Sequence, residues 1–547
     1  MAALVLTVSC DPKKPLDDNG ENNPEQPQKP EPEPDFPIYG RVFCGTEGIP
    51  GVVVTDGYEV TQTDQDGNYT MVSDKKNKMV WISIPSGYTT ACLGVQALFY
   101  QTLTENAYTP ERRDFELFED GDQTNHTMLV FGDQHLAART KDREQYKTFT
   151  ADVMDYLASH KGTKTYAVTL GDMTWDQFWY TNNYGFQDYL ADINEGIQGL
   201  TVFHTIGNHD HNMITEVSGG SSGWNAVDWD TAGAFREALG PNYFSFNIGQ
   251  VHYVVVDNIY CKNTTGGTDS DRHYDKTVSN DCLAWLKKDL SYVDKSTPVV
   301  VTMHSAVWNS NGSANLGNVV TLSACFDGFG NVTFLTGHTH NNWNVNKGTI
   351  REYNSGAVCA CWWWCGYYNK EVNIAGDGAP GGYRIMDWSG KEYTSLYKGT
   401  GKSTDFQFRS YDRNSIKVDT TGIKYAKAFA TTLSQRGQYN VASTANEVIL
   451  NVWDWDERWK VEVTENGTPL TVTKMSSYDP LFFLTYCSYR FKSTEKPSFN
   501  ADLTGHLFKV KASSANSTLE IKVTDDEGRT YTESMQRPKP FNIETYK

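Results

Sequence analysis

The chain has 547 residues, more than one hydrophobic core can organise, which predicts roughly two to four domains. Its formal net charge of −19 and its pI of about 5.1 argue against nonspecific nucleic-acid binding, because an acidic surface repels phosphate backbones. The sequence contains no run of about 20 apolar residues, so it predicts no transmembrane helix.

The first ten residues, MAALVLTVSC, are an apolar run that ends at Cys10. They resemble the end of a bacterial lipoprotein signal with Cys10 as the lipidated residue, although a basic segment is missing and Thr7 replaces the commoner aliphatic residue. An ordinary chain terminus is the alternative. Residues 11–35 are rich in Pro, Glu, Asp and Asn and predict a disordered linker. Together the segments predict an exported lipoprotein of the bacterial envelope, in the periplasm or at the cell surface, whose only membrane contact is the lipid on Cys10.

Short strand-like runs follow over residues 36–124, namely IYGRVF, GVVVTDG and TDQDGNYTMV. The dipeptide Asp66-Gly67 is typical of a tight turn between two strands. This pattern predicts a small all-β domain, which resembles the prealbumin-like modules that precede catalytic domains in secreted bacterial enzymes. We interpret it as a spacer without chemistry of its own.

Residues 125–355 alternate apolar runs with helical patterns at 141–159 and 279–293. In the second helix, Leu283, Leu286 and Leu290 recur at helical spacing. The alternation predicts an α/β layered domain. Residues 356–547 return to strand-like runs separated by turn residues, which predicts a C-terminal β-sandwich.

Five apolar runs of the middle domain end in the same way, on Asp, Asn or His. In open α/β sheets, ligands bind at the carboxyl ends of the strands, so five such ends predict one shared site. The glycine before most of these groups allows a tight turn and a close approach of backbone. The strand ends read Gly132-Asp133-Gln134-His135, Gly171-Asp172-Met173, Gly207-Asn208-His209-Asp210, His304-Ser305 and Gly337-His338-Thr339-His340.

The residue types of these strand ends indicate a metal site. Carboxylate, amide and imidazole donors together suit Zn, Mn or Fe better than Ca or Mg. Seven donors exceed the needs of one tetrahedral ion and fit two ions, divalent or trivalent, that share a carboxylate at a separation of roughly 3.5 to 4 Å.

The motifs GDQH, GD, GNHD, a lone His and GHTH, in this order, resemble the calcineurin-like metallophosphoesterases. The three-domain arrangement and the stretch DGAPGGYR at 377–384 resemble bacterial exported members with N-terminal and C-terminal metallophosphoesterase-associated domains. The resemblance implies an α/β fold with a four-layer αββα sandwich between the two β-domains. Two positions depart from the family pattern: Leu136 stands where Gly is common, and Asp176 sits one place late for GDxxD.

The resemblance also implies a role for each ligand. Asp172 would bridge two ions that generate a hydroxide, and that hydroxide would attack phosphorus. His209 would donate a proton to the leaving oxygen, oriented by Asp210 or Asp176. The remaining ligands would divide into Asp133, His135 and His340 for one metal and Asn208, His304 and His338 for the other.

The segment CACWWWC at 359–365 has the most unusual composition in the chain. It could be a third metal site or a set of buried sheet residues. We favour a tryptophan wall beside the metal site that grips an organic leaving group. The predicted substrate contacts in this region are Trp363, Trp364, Tyr383 and Arg384.

The sequence thus predicts an enzyme that hydrolyses a small phosphodiester or phosphomonoester, without separating these two classes. A protein phosphatase is a rival within the hydrolases. A rival of a different class is a cell-surface binding protein that uses its β-domains and carries a vestigial catalytic domain.

Overall fold

A computed structural model describes residues 36–212, 228–262 and 273–547. The predicted lipid anchor at Cys10 and the predicted linker at 11–35 lie outside these residues, and both stay predictions. Within the described ranges, no helix combines the length and the apolar character needed to cross a bilayer.

Two mixed sheets occupy the centre of the described chain. The five predicted strand ends follow strands of these sheets, three in the first and two in the second. The strands Asn125–Phe131, Lys164–Thr169 and Thr201–Phe203 pair in parallel, as an α/β domain requires. The first sheet has the order Glu392–Gly399, Gly382–Ser389, Asn125–Phe131, Lys164–Thr169, Thr201–Phe203, Gln96–Ala97 and Cys92–Leu93. The second has the order Phe244–Ile248, Val251–Val255, Val299–Ser305, Val332–Gly337, Ile350–Asn354 and Trp343–Lys347.

The two sheets pack face to face, with helices on the outer faces. Alternate residues of one strand show this: Leu129 and Phe131 lie in a core with helix residues, whereas Met128 and Val130 lie in a core with the second sheet. This arrangement confirms the predicted αββα layers. The helices of the region are Asp142–Ser159, Asp176–Trp179, Phe186–Gly196, Asp228–Thr231, Gly233–Leu239, Asn280–Leu290, Val319–Ala324 and Trp364–Asn369, with a 3₁₀ turn at Asn208–Asp210.

Both helices predicted from periodicity are present, at Asp142–Ser159 and Asn280–Leu290. The second begins where the Ser279 side chain accepts a hydrogen bond from the Cys282 amide, a standard N-cap. Its three leucines are buried against the second sheet, as their spacing predicts.

The first sheet extends beyond the predicted limits of 125 and 355. Strands at 92–97 pair on one edge and strands at 382–399 pair on the other. Pairing between segments so far apart in sequence leaves no local pattern, which is why the predicted limits do not enclose the whole sheet.

The N-terminal region is all β, in agreement with its sequence pattern. It contains a sheet of Glu111–Arg112, Ile38–Cys44, Phe115–Glu119 and Tyr88–Thr90, joined by Glu47–Gly48 and Asn68–Met71, and a sheet of Tyr100–Thr102, Met79–Ile82, Val53–Thr55 and Val60–Gln62. A two-stranded ribbon in the middle region comprises Ile259–Lys262 and His273–Lys276.

The C-terminal region contains the predicted sandwich. Residues of two four-stranded sheets, such as Leu450 and Ile521, share one hydrophobic core. One sheet consists, in order, of Arg409–Asp412, Glu447–Asn451, Thr504–Lys511 and Val472–Ser477. The other consists of Thr468–Pro469, Lys460–Glu465, Leu519–Thr524 and Thr530–Met535. The region also contains helices that were not predicted, at Ala426–Gln435, Pro480–Phe482, Ser488–Arg490 and Ile543–Tyr546, with a π-helical turn at Phe483–Cys487.

Candidate metal centre

The structure brings the seven predicted metal ligands together where strands of the two central sheets end. Six of the side chains are buried, and His338 is partly exposed. The seven residues are Asp133, His135, Asp172, Asn208, His304, His338 and His340.

The first group of ligands comprises Asp133, His135 and His340. The Nε2 atoms of His135 and His340 are 3.0 Å apart. Asp133 Oδ1 lies 3.4 Å from His340 Nε2 and 3.9 Å from His135 Nε2. The three side chains therefore point their donor atoms at a common position.

The second group comprises Asn208, His304 and His338. His304 Nε2 lies 2.9 Å from Asn208 Oδ1 and 3.0 Å from His338 Nδ1. The two groups correspond to the two ligand sets that the family resemblance implies.

Asp172 lies between the two groups. Its Oδ2 atom is 3.4 Å from His135 Nε2 in one group and 3.3 Å from His304 Nε2 in the other. Burial on its own would raise the pKa of Asp172, but the nearby histidines, His304 foremost, hold that pKa well below its usual value. Asp172 is thus an ionised carboxylate in the position of a bridge.

The arrangement of lone pairs fits cations. His304 Nδ1 donates to the Leu170 carbonyl at 2.7 Å, which directs Nε2 toward Asn208 Oδ1. His340 Nδ1 likewise donates to the Ala360 carbonyl at 2.7 Å, and its Nε2 faces the ring nitrogen of His135. Lone pairs that face one another repel unless a positive charge, from a proton or a metal ion, lies among them. Metal ions would supply that charge, and such outer hydrogen bonds fix the rings of metal-binding histidines.

Electrostatics point the same way. Burial would lower the pKa of His304, but the carboxylate of Asp172 raises it to about 9. A buried site that charges a histidine in this way stabilises positive charge in general.

Backbone strain is concentrated at the same residues. Non-glycine residues in the left-handed region cost on the order of 1–3 kcal/mol each and cluster at functional sites. Gly337 also allows close approach, because a Cβ there would lie 2.5 Å from Asp133 Oδ2. The strained ligands, with their φ values, are Asp133 (37°), His135 (45°), Asp172 (52°), His338 (70°) and His340 (61°).

Three family models match the chain in order along its length. The N-terminal domain of calcineurin-like phosphoesterases matches residues 36–120, the calcineurin-like phosphoesterase domain matches 126–342, and the C-terminal domain of these proteins matches 352–531. The chain belongs to the calcineurin-like phosphoesterase family. It is therefore a metal-dependent phosphoesterase in its general class, with both associated domains.

Several solved structures resemble this phosphoesterase at low sequence identity. A dimetal phosphatase from Danio rerio is 11% identical and aligns over 50% of this chain and 99% of its own, with a TM-score of 0.32. The phosphopantetheinyl hydrolase from Mycobacterium tuberculosis is 12% identical over 43% of this chain and 91% of its own, with a TM-score of 0.27. No curated protein matches the chain. Identities this low carry no information on substrate.

His209 lies at the rim of the phosphoesterase site, with 18% of its side chain exposed. Its Nδ1 atom is 2.9 Å from Oδ1 of the fully buried Asp176. Its backbone amide donates to Asp172 Oδ1 at 2.7 Å. Because Asp176 engages Nδ1, Nε2 is the ring atom that can carry a transferable proton.

Asp210 does not contact the His209 ring, which corrects its predicted catalytic role. Its buried carboxylate instead accepts hydrogen bonds from the backbone amides of Thr174 and Gly207, at 3.1 and 3.0 Å. Asp210 therefore holds two ligand-bearing loops together, and Asp176 is the residue that orients His209.

Two aromatic rings outside the predicted set of substrate contacts border the phosphoesterase site. The ring of Trp362 lies 4.2 Å from that of His340, between centroids, and Trp175 lies 5.1 Å from both His135 and His209. Trp362 belongs to the segment CACWWWC from which a wall was predicted, and Trp175 lies outside it; contact of either ring with a leaving group stays a prediction.

Trp363 was predicted to contact substrate, and its position corrects that prediction. Its side chain is buried and its Nε1 atom donates to the Gln134 carbonyl at 2.7 Å, behind the metal ligands. Residues 360, 362 and 363 all have positive φ, at 52°, 48° and 64°, so the side chains follow neither helical nor strand periodicity. No sequence pattern could have shown which tryptophan faces the site.

Tyr383 and Arg384 are also buried, which corrects their predicted contact with substrate. The Tyr383 hydroxyl donates to Asp152, and Arg384 forms a two-pronged ion pair with Asp454 at 2.6 and 3.0 Å. Both residues thus stabilise the interior. Trp364, the fourth predicted contact, is half-buried and stays a candidate.

Proposed function

We propose that this chain is a dinuclear metallophosphoesterase that hydrolyses a small phosphodiester or phosphomonoester. The observation that carries the proposal is the division of seven N and O donors into two groups that share the Asp172 carboxylate. The facing donor atoms and the positive φ values at five ligands support it, because crowded donors need a positive charge among them and strained backbone clusters at functional sites.

Two ions of Mn, Fe or Zn would suit this donor set. Asp133, His135 and His340 would hold one, Asn208, His304 and His338 the other, and Asp172 both. When bound, the ions would lower the pKa of a water and draw charge from the phosphoryl oxygens.

The chain's own residues supply the other parts of the chemistry. His209 would donate its Nε2 proton to the leaving oxygen, and Asp176 would keep the ring in the correct tautomer through Nδ1. Trp175 and Trp362 would exclude water and contact the organic part of the substrate.

Metal reconstitution with two chromogenic substrates tests this function. The protein is stripped with a chelator, loaded with Mn, Zn or Fe, analysed for metal content and assayed on p-nitrophenyl phosphate and bis-p-nitrophenyl phosphate. We expect two ions per chain, turnover only after loading, and loss of turnover in Asp172→Asn. The exposed Asp122→Asn serves as a control of equal charge change.

The outcomes separate the alternatives. Absence of bound metal would refute the proposal, and the ratio of the two rates would assign monoester or diester specificity. Two bound ions with no turnover of any phosphoester would favour the binding protein with a vestigial catalytic domain.

A further inference from the structure

Arg139 is a charged side chain beside the metal centre. Its guanidinium carbon lies 4.0 Å from the ring centroid of Trp175 and 5.2 Å from that of Phe178. Its Nε and Nη2 atoms are buried and have no hydrogen-bond acceptor among the described residues. Asp142, the nearest acid in sequence, accepts from three backbone amides, including that of Arg139. Burial lowers the pKa of Arg139 only to about 10, so the group is charged at neutral pH.

A second arginine approaches the same place from the C-terminal region. The guanidinium carbon of Arg490 lies 4.9 Å from the ring centroid of Trp364, and that of Arg139 lies 5.5 Å from the same ring. Arg490 Nε is buried and unpartnered within the described chain, and so is the hydroxyl of Tyr486, whose ring is 5.9 Å from the Arg490 guanidinium carbon. Two cations thus lie over one half-buried indole, and the Tyr486 ring lies beside one of them.

Such a cluster calls for an external acceptor. Buried hydrogen-bond donors are almost always paired, and each one left unpaired destabilises the fold. This chain has 67 acidic and 48 basic residues, so carboxylates to pair these arginines are abundant. Guanidinium groups bind phosphate and carboxylate oxygens through paired N–H donors, and stacking on indole rings leaves those donors available.

Arg139 connects the cluster to the reacting groups. Trp175, on which Arg139 stacks, has its ring centroid 5.1 Å from those of both His135 and His209. His209 is the proposed donor to the leaving oxygen, so an anion held here would belong to the leaving group.

We propose that Arg139, Arg490 and Tyr486 form a subsite for a second anionic group, phosphate or carboxylate, carried on the leaving-group side of the substrate. This inference rests on the proposed function, because it extends the substrate of the same site. It narrows the substrate class to phosphoesters with a distal anion, and it gives the C-terminal region a direct part in substrate selection.

Non-hydrolysable ligands test the subsite by binding rather than by turnover. Calorimetry on the metal-loaded protein compares pentylphosphonate, pentane-1,5-bisphosphonate and 6-phosphonohexanoate, which differ only at the distal end. We expect one of the two distal anions to bind at least about tenfold more tightly than pentylphosphonate, as charge-assisted hydrogen bonds would provide. The stronger of the two identifies phosphate or carboxylate as the distal group.

Substitution of the arginines localises the effect. Arg139→Gln and Arg490→Gln should each reduce the affinity ratio between the distal-anion ligand and pentylphosphonate to within about threefold, while the affinity for pentylphosphonate changes little. The matched control is Arg112→Gln, which removes the same charge from an exposed side chain in the N-terminal region and should keep the full advantage.

Two results would refute the proposed subsite. One is equal affinity for all three ligands in the unsubstituted protein. The other is an affinity ratio in favour of the distal anion that persists in both arginine variants. A failure of the proposed function would give a different pattern of binding. In that case pentylphosphonate would show no metal-dependent binding, whereas the distal anion would still bind in a manner that depends on Arg139 and Arg490.

Discussion

Replacement of His209 by alanine should slow hydrolysis by a factor that depends on the leaving group. The ring is held by Asp176 through Nδ1 at 2.9 Å, and with 18% of its side chain exposed it lies where substrate would enter. A general acid contributes about 10²–10⁴ in rate when the leaving oxygen needs a proton. An alkoxide needs one, whereas p-nitrophenolate leaves without it.

The expected loss in kcat is therefore about 10²–10⁴ for ethyl phosphate and less than about tenfold for p-nitrophenyl phosphate. Asp176→Asn should show the same dependence with a smaller loss, because the amide preserves a hydrogen bond but not the charge that stabilises the protonated ring. Phosphate release for the two substrates, measured on both variants at equal metal loading, gives the ratios. Equal slowing of both substrates by His209→Ala would refute the role of proton donor and would indicate that His209 only binds the phosphoryl group.

Three further predictions concern residues that the structure assigns to stability. Asp210→Asn should lower the free energy of unfolding by about 1–3 kcal/mol, because it places an amide N–H group against backbone N–H donors. It should leave the ratio of kcat for ethyl phosphate to kcat for p-nitrophenyl phosphate unchanged, which kinetics on these two substrates would check. Arg384→Met should lower the free energy of unfolding by about 3–5 kcal/mol, because it leaves the buried Asp454 unpaired. Denaturant titration should show this loss, while KM for p-nitrophenyl phosphate should stay constant. A large rise in KM would instead indicate that Arg384 contacts substrate. Burial lowers the pKa of His126 to about 4, whereas the same imidazole in the unfolded chain has a pKa near 6.5. Between these pH values only the unfolded state binds the proton. The free energy of unfolding therefore falls by about 3 kcal/mol as the pH drops through this window. Denaturant titrations at pH 7 and pH 4.5 should show a weaker pH dependence in His126→Gln, and identical pH dependences would contradict this account.

Local sequence determined much of this protein. The strands that precede the ligands and the helices at Asp142–Ser159 and Asn280–Leu290 follow from apolar periodicity, which acts over a few residues. The five polar strand ends, in their order, resemble one family closely enough to predict that family, and the resemblance implied the αββα layers. The convergence of the seven donors was expected from the carboxyl ends of the strands. The packing of the two sheets brings both sets of strand ends together.

Strand pairing across long distances was not accessible from the sequence. The edge strands at 92–97 and 382–399 join a sheet whose core strands begin at 125. Which strands pair at the edges of that sheet depends on which segments meet in the folded chain, and no local sequence pattern shows this.

The roles of individual side chains around the metal centre depended on tertiary structure alone. Asp176 rather than Asp210 contacts His209, and Trp362 rather than Trp363 lies against His340. Arg384 turns inward to Asp454, while Arg139 and Arg490, which are 351 positions apart, converge on Trp364. Residue type fixes what a side chain can do, but its direction depends on backbone angles, several of them in the left-handed region, that only the packed fold stabilises.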